Sequence, residues 1–74
     1  MEQFIKYFAN QFDDTDITEF KSETNFRDLE EWSSLTALAI LNMMEKKYNV
    51  TIKADEMKKA NTIQELFNLL QSKM

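Results

Sequence analysis

The sequence predicts an all-α protein, a small four-helix bundle, and three observations carry that prediction. Apolar residues recur at helical spacing in three stretches of the chain. The second and third of these stretches open on hydroxyl residues suited to cap a helix. The 74 residues include no glycine and no proline, and the one β-branched run, Val50-Thr51-Ile52, is too short to anchor a sheet.

The first helix is expected over residues 2–12, where Phe4, Ile5, Phe8 and Phe12 make one apolar stripe. Asp13, Asp14, Thr15 and Asp16 then stop it. Residues 17–32 show no sustained period, and Ile17, Phe20, Phe26 and Leu29 are expected to pin this long loop to a core. A structureless stretch of that length in a small domain is often functional. The second helix starts at Ser33-Ser34 and runs to Tyr48. At about 100° per residue, Ala37, Ile40, Leu41, Met44 and Tyr48 fall on a core face. Leu35, Thr36, Ala39, Asn42, Met43 and Lys46 fall on the other, which is poorer in charge than a purely solvated face. Val50-Thr51-Ile52 reads as a packed connector and residues 55–60 as a turn or two of helix. The last helix opens on a capping box, Thr62 with Glu65, and buries Ile63, Leu66, Phe67 and Leu70.

Composition removes several function classes. Without glycine there is no phosphate-cradling loop and no dinucleotide fingerprint. Without histidine or cysteine the usual zinc sites and the commonest general base are missing, so no catalytic residue and no metal ligand is assigned. The formal charge of −4 is concentrated between Asp13 and Glu31, where eight acids face only Lys21 and Arg27. Such a segment disfavours nucleic acid and anionic membranes and suits a partner with a basic face. Three aspartates at 13, 14 and 16 read as a solvated acidic loop, because a calcium-binding loop of the helix–loop–helix kind needs a glycine at its turn and a distal glutamate. No stretch approaches the roughly 20 apolar residues of a membrane span and no signal peptide opens the chain. The expectation is therefore one stand-alone cytoplasmic domain over residues 1–74, monomeric and not an enzyme.

From Thr24 to Leu70 the sequence resembles the acyl carrier protein family. The resemblance rests on Phe26 and Leu29, on Trp32-Ser33-Ser34-Leu35, and on the helix ending Glu45-Lys46-Lys47-Tyr48. It continues with Val50 and Ile52, then Asn61-Thr62-Ile63 and Leu66. A Ser-Leu pair alone is no signal; at a helix start, with these spacings before and after it, it is fairly specific. The family signature is Asp-Ser-Leu at the start of the second helix, and a large subgroup has Trp just before it. The resemblance implies a four-helix bundle of the acyl-carrier-protein type. It also implies that Ser34 carries 4′-phosphopantetheine as a covalent cofactor, with acyl groups held as thioesters on the arm's thiol.

The partners it implies are a phosphopantetheinyl transferase and enzymes that transfer or modify acyl groups in fatty acid or related polyketide and lipid pathways. Fatty acyl, polyketide, aminoacyl and D-alanyl cargo all fit. This sequence departs from the pattern in two places. Ser33 replaces the signature aspartate, so the cap survives and a carboxylate that a transferase could read does not. The second helix carries Glu45 as its single acid, so docking is expected through Leu35, Ala39, Asn42 and Met43 more than through charge, although Leu35, Ala39 and Met43 read equally as extra core under a loop. Trp32 reads as a loop anchor or as a wall beside the arm. The alternative function is an armless, carrier-shaped helical module that binds proteins through the same surface.

Overall fold

A computed structural model describes residues 1–13 and 15–74; Asp14, one of the acids expected to end the first helix, lies outside them. Among the described residues there are four α-helices and no strand: α1 (Glu2–Ala9), α2 (Ser34–Tyr48), α3 (Ala54–Met57) and α4 (Ile63–Ser72). The all-α, four-helix expectation holds. α1 is shorter than expected because its last residues change hydrogen-bonding pattern. Gln11 N–H donates to Phe8 O and Phe12 N–H to Ala9 O, the tighter i→i−3 geometry common at helix ends. Phe12 still reaches the core.

Among its described residues, the stretch between α1 and α2 holds two single 3₁₀ turns, Ile17–Glu19 and Phe26–Asp28. Each is started by a side chain that accepts from the backbone two residues on. Asp16 accepts from Thr18 N–H at 3.0 Å and Asn25 from Arg27 N–H at 3.1 Å, the local bonding that makes Asp and Asn turn formers. An antiparallel bridge joins Asn25 to Thr62, with Phe26 N–H donating to Asn61 O and Ile63 N–H to Thr24 O, both at 3.1 Å. The end of the loop is thereby stitched to the start of α4. Of the expected loop anchors, Phe20 and Phe26 are buried and Leu29 packs against the core. Ile17 is 51% exposed and pins nothing, because the 3₁₀ turn it opens turns it to solvent.

The core is aromatic at its centre. Phe4, Phe8 and Phe26 are fully buried. The Phe8 ring lies within 5.5–6.3 Å of the rings of Phe4, Phe12, Phe20 and Phe26. Ile40, Met44, Ile63, Leu66 and Leu70 complete the fully buried set, while Phe67 packs half-buried at its margin. Val50 and Ile52 are buried without forming a strand, as a packed connector should be. Asn49 ends α2 in the left-handed conformation, φ 57°, a role usually filled by glycine and open to asparagine, whose short polar side chain tolerates it.

Met43 is the main correction. Its assignment to the docking face fails and the alternative, extra core, holds: it is buried with Ile40 and Met44. α2 is covered along a wide arc: residues i, i+3 and i+4 from Ile40 all turn inward. Ala37 and Leu41, expected in the core, are only half-buried.

The caps give the fold a definite acid response. Glu65 Oε1 accepts from Asn61 and Thr62 N–H, both at 2.9 Å. These backbone donors, Asn61 first, hold its carboxyl below the usual range. Glu56, paired with Lys73 and accepting from Lys53 N–H, is lowered for the same kind of reason, the Lys73 contact first. A carboxyl with a depressed folded pKa stabilises above its unfolded value and loses that contribution as pH falls through the folded one. The melting temperature should therefore be flat from pH 7 to 5 and fall below about pH 4. Glu65→Gln should shrink the fall, and thermal melts of the two proteins between pH 7 and 3 check it.

Candidate functional site

The start of α2 places two adjacent, exposed hydroxyls in different settings. Ser33 has extended backbone, φ −153° and ψ 176°, and is the N-cap. Its Oγ accepts from Thr36 N–H at 3.4 Å, and its own N–H donates to Thr36 Oγ1 at 2.7 Å. The sequence pointed to Ser33 as a cap; it did not point to Thr36 as the reciprocal partner, because capping boxes are read from Glu or Gln three residues on. The Thr36 hydroxyl also lies within donating distance of Ser33 O and Glu31 O. Ser34 is the first residue inside the helix, is exposed, and among the described residues its hydroxyl takes no part in this capping network.

Ser33 and Ser34 border an open cleft of about 500 Å³. α2 contributes Ala37, Leu38 and Leu41, α3 contributes Ala54 and Met57, and Lys58 follows α3. Arg27 and Trp32 line it from the loop before α2. Its lining is mostly aliphatic and aromatic, with Lys58 the exposed cation. Trp32 fills both roles read for it. Its ring lies 4.7 Å from Phe26 and 6.5 Å from Phe12, which anchors the loop, and it also lines the cleft. The sequence reading missed the cleft, although Ser34, Leu38 and Leu41 stand at i, i+4 and i+7 on α2, the spacing of one helix face.

Of the expected docking residues, Leu35 is 78% exposed, Asn42 is exposed and Ala39 half-buried. Met43 is removed from that surface by its burial. Leu38, 54% exposed, was not expected there and stands one turn from Leu35 and Asn42. Ahead of α2, Asp28 and Glu30 are exposed. Glu31 accepts from Asp13 N–H at 3.2 Å and pairs with the Thr15 hydroxyl. These acids precede Ser34 in the chain, while the charged side chains lining the cleft it borders are Arg27 and Lys58.

An exposed hydroxyl at a helix start, beside an apolar cleft, offers a place for a covalently attached group. The phosphopantetheine attachment site family matches residues 3–70. The chain belongs to that family, whose members carry covalent 4′-phosphopantetheine and are carriers, not catalysts. No curated protein matches the chain. The residues present fit such a group: a free hydroxyl for the phosphodiester and an apolar cleft next to it. The arm supplies the thiol that holds an acyl group, and a transferase and acyl-modifying enzymes are the interactions a carrier domain implies. No helix among the described residues is long and apolar enough to cross a membrane.

Proposed function

We propose that Ser34 is the attachment point of the arm. On this reading the chain is an acyl carrier protein that presents thioester-bound acyl groups to enzymes of fatty acid or related polyketide and lipid biosynthesis. The observation that carries this reading is the division of labour at the start of α2. Both serines are exposed at the mouth of an apolar cleft, but the Ser33 hydroxyl is engaged in the cap and the Ser34 hydroxyl takes no part in it. Residues 1–74 act as one monomeric carrier domain in the cytoplasm. Ser34 offers the hydroxyl, the first turn of α2 favours the negative charge of a phosphodiester, and the cleft shelters the apolar part of the cargo.

The test is intact mass after incubation with coenzyme A and a broad-specificity phosphopantetheinyl transferase. One phosphopantetheine should be gained, and peptide mapping should put it on Ser34. No gain, under conditions where another carrier is modified, would favour the armless interaction module.

Leu35, Leu38, Ala39 and Asn42 form the proposed docking surface, with Asp28 and Glu30 steering encounter. Leu35→Asp should slow transfer of cargo to a partner about tenfold, the scale of losing one apolar anchor. Glu45→Ala should change it by less than about threefold, since an exposed charge contributes little. Competition assays with one partner enzyme rank the two. Met43→Asp does not test this surface, because it would bury a charge in the core.

A further inference from the structure

We infer that Arg27 is the positioning residue of the cleft: its guanidinium holds α3 against the loop and so sets the space in which cargo on Ser34 is sheltered. The inference rests on the carrier reading above and adds a residue to it.

α3 is a four-residue helix, too short to be stable by itself, because a single helical turn does not recover the entropy of nucleation. It supplies one wall of the cleft through Ala54 and Met57. The carbonyls of Ala54, Glu56 and Met57 accept from the N–H groups of Lys58, Lys59 and Ala60, bonds too local to dock the turn on the rest of the fold. Arg27 adds donors from across the chain: Nη2 donates to Met57 O at 2.9 Å and to Ala60 O, three residues past α3, at 3.1 Å, and Nε donates to Ala60 O at 3.2 Å. Met57 and Ala60 are both buried through their side chains, so the fork fixes the two backbone points between which the chain leaves α3. The guanidinium also stands 5.4 Å from the Phe26 ring, which is fully buried. The clamp is thus tied to the aromatic core on one side and to the cleft wall on the other.

The other polar hold on α3, the Glu56–Lys73 pair, is more than a quarter exposed on both sides and of the kind that contributes little. No acid pairs with Arg27 in an ion pair among the described residues; the side chain is given over to carbonyls. A lysine cannot replace it, since one ammonium lacks the planar fork that spans two acceptors.

Two readouts test the clamp, and the first needs no arm. In the unmodified protein, Arg27→Met should speed amide exchange at Lys58 and Ala60 about tenfold more than at Ile40 and Met44 in α2, because local opening of α3 then precedes global unfolding. Arg27→Lys should behave like Arg27→Met. In octanoyl-loaded protein, both variants should expose the thioester to hydroxylamine about fivefold more than wild type does. Emission from Trp32, the only tryptophan and itself part of the cleft lining, should shift less on loading.

Uniform acceleration of exchange in α2 and α3 would overturn the clamp, as would wild-type behaviour of Arg27→Lys. Selective loosening of α3 with an unchanged thioester rate would overturn its link to the cargo. A wild type that takes no arm is a failure of the carrier reading, and the exchange measurement still decides whether Arg27 holds α3.

Discussion

Ser34→Ala should gain no phosphopantetheine while keeping the helical spectrum and melting temperature of the parent. Ser33→Ala should still be modified and should melt lower. The two hydroxyls differ only by one position, so their opposite outcomes must come from geometry. Ser33 is the N-cap, and its loss removes the acceptor for Thr36 N–H. Replacing a capping serine by alanine costs about 1 kcal/mol. In a domain of this size that lowers the melting temperature by roughly 4–8 °C.

Ser34 pairs with nothing in the cap network and sits on the outer side of the first turn. Alanine there keeps every one of these hydrogen bonds and is the best helix former. A phosphodiester on Ser34 interacts favourably with the positive end of α2, by about 0.3–1 kcal/mol at low salt. The modified protein should therefore melt no lower than the unmodified one. Mass spectrometry with thermal melts of the wild type and both variants checks all of these outcomes. Modification of Ser34→Ala would show that the neighbouring hydroxyl is the acceptor after all.

What the sequence revealed here, and what it concealed, follows the range of the interactions involved. The cap at Ser33, the helix from Ser34 to Tyr48, and the Thr62–Glu65 box are written within four residues of one another, where hydrogen-bonding geometry depends on residue type. The 3₁₀ turns were hidden because a three-residue element has no period to detect. Met43 is ambiguous in the sequence because α2 alternates between two walls. Ile40, Met43 and Met44 face the core while Ala37, Leu38 and Leu41 line the cleft, so no single stripe describes the helix. Arg27 could not be read at all. Its partners are backbone carbonyls 30 and 33 residues further on, and a carbonyl leaves no trace in the identity of its residue.

The largest loss of stability should come from Phe8→Ala. The side chain is fully buried, and its ring meets four others, at 6.3 Å for Phe4, 5.5 Å for Phe12, 5.9 Å for Phe20 and 5.7 Å for Phe26. Truncating a buried phenylalanine costs about 3–5 kcal/mol, combining lost transfer energy with the cavity left behind. Relaxation is restricted here because the facing rings come from α1 and from the long loop, and each is also held elsewhere. Phe26, for instance, packs on Trp32 and donates its N–H to Asn61 O.

At roughly 0.05–0.15 kcal/mol per residue, a chain of this length has only about 4–11 kcal/mol in total. The variant should therefore melt on the order of 20 °C lower, or be unfolded outright at 37 °C. Ile17→Ala, at an exposed position of the same loop, should shift stability by no more than about 0.5 kcal/mol. The effect should reach the site as well. Phe8 supports Phe26, Phe26 supports Trp32, and Trp32 immediately precedes the cap of α2. Phe8→Ala should thus slow modification of Ser34 in proportion to its unfolded fraction, and cooling should restore it. Chemical denaturation of the two variants, with modification rates at 10 °C and 37 °C, measures both effects. A Phe8→Ala protein as stable as wild type would mean that the ring cluster is not the centre of the core.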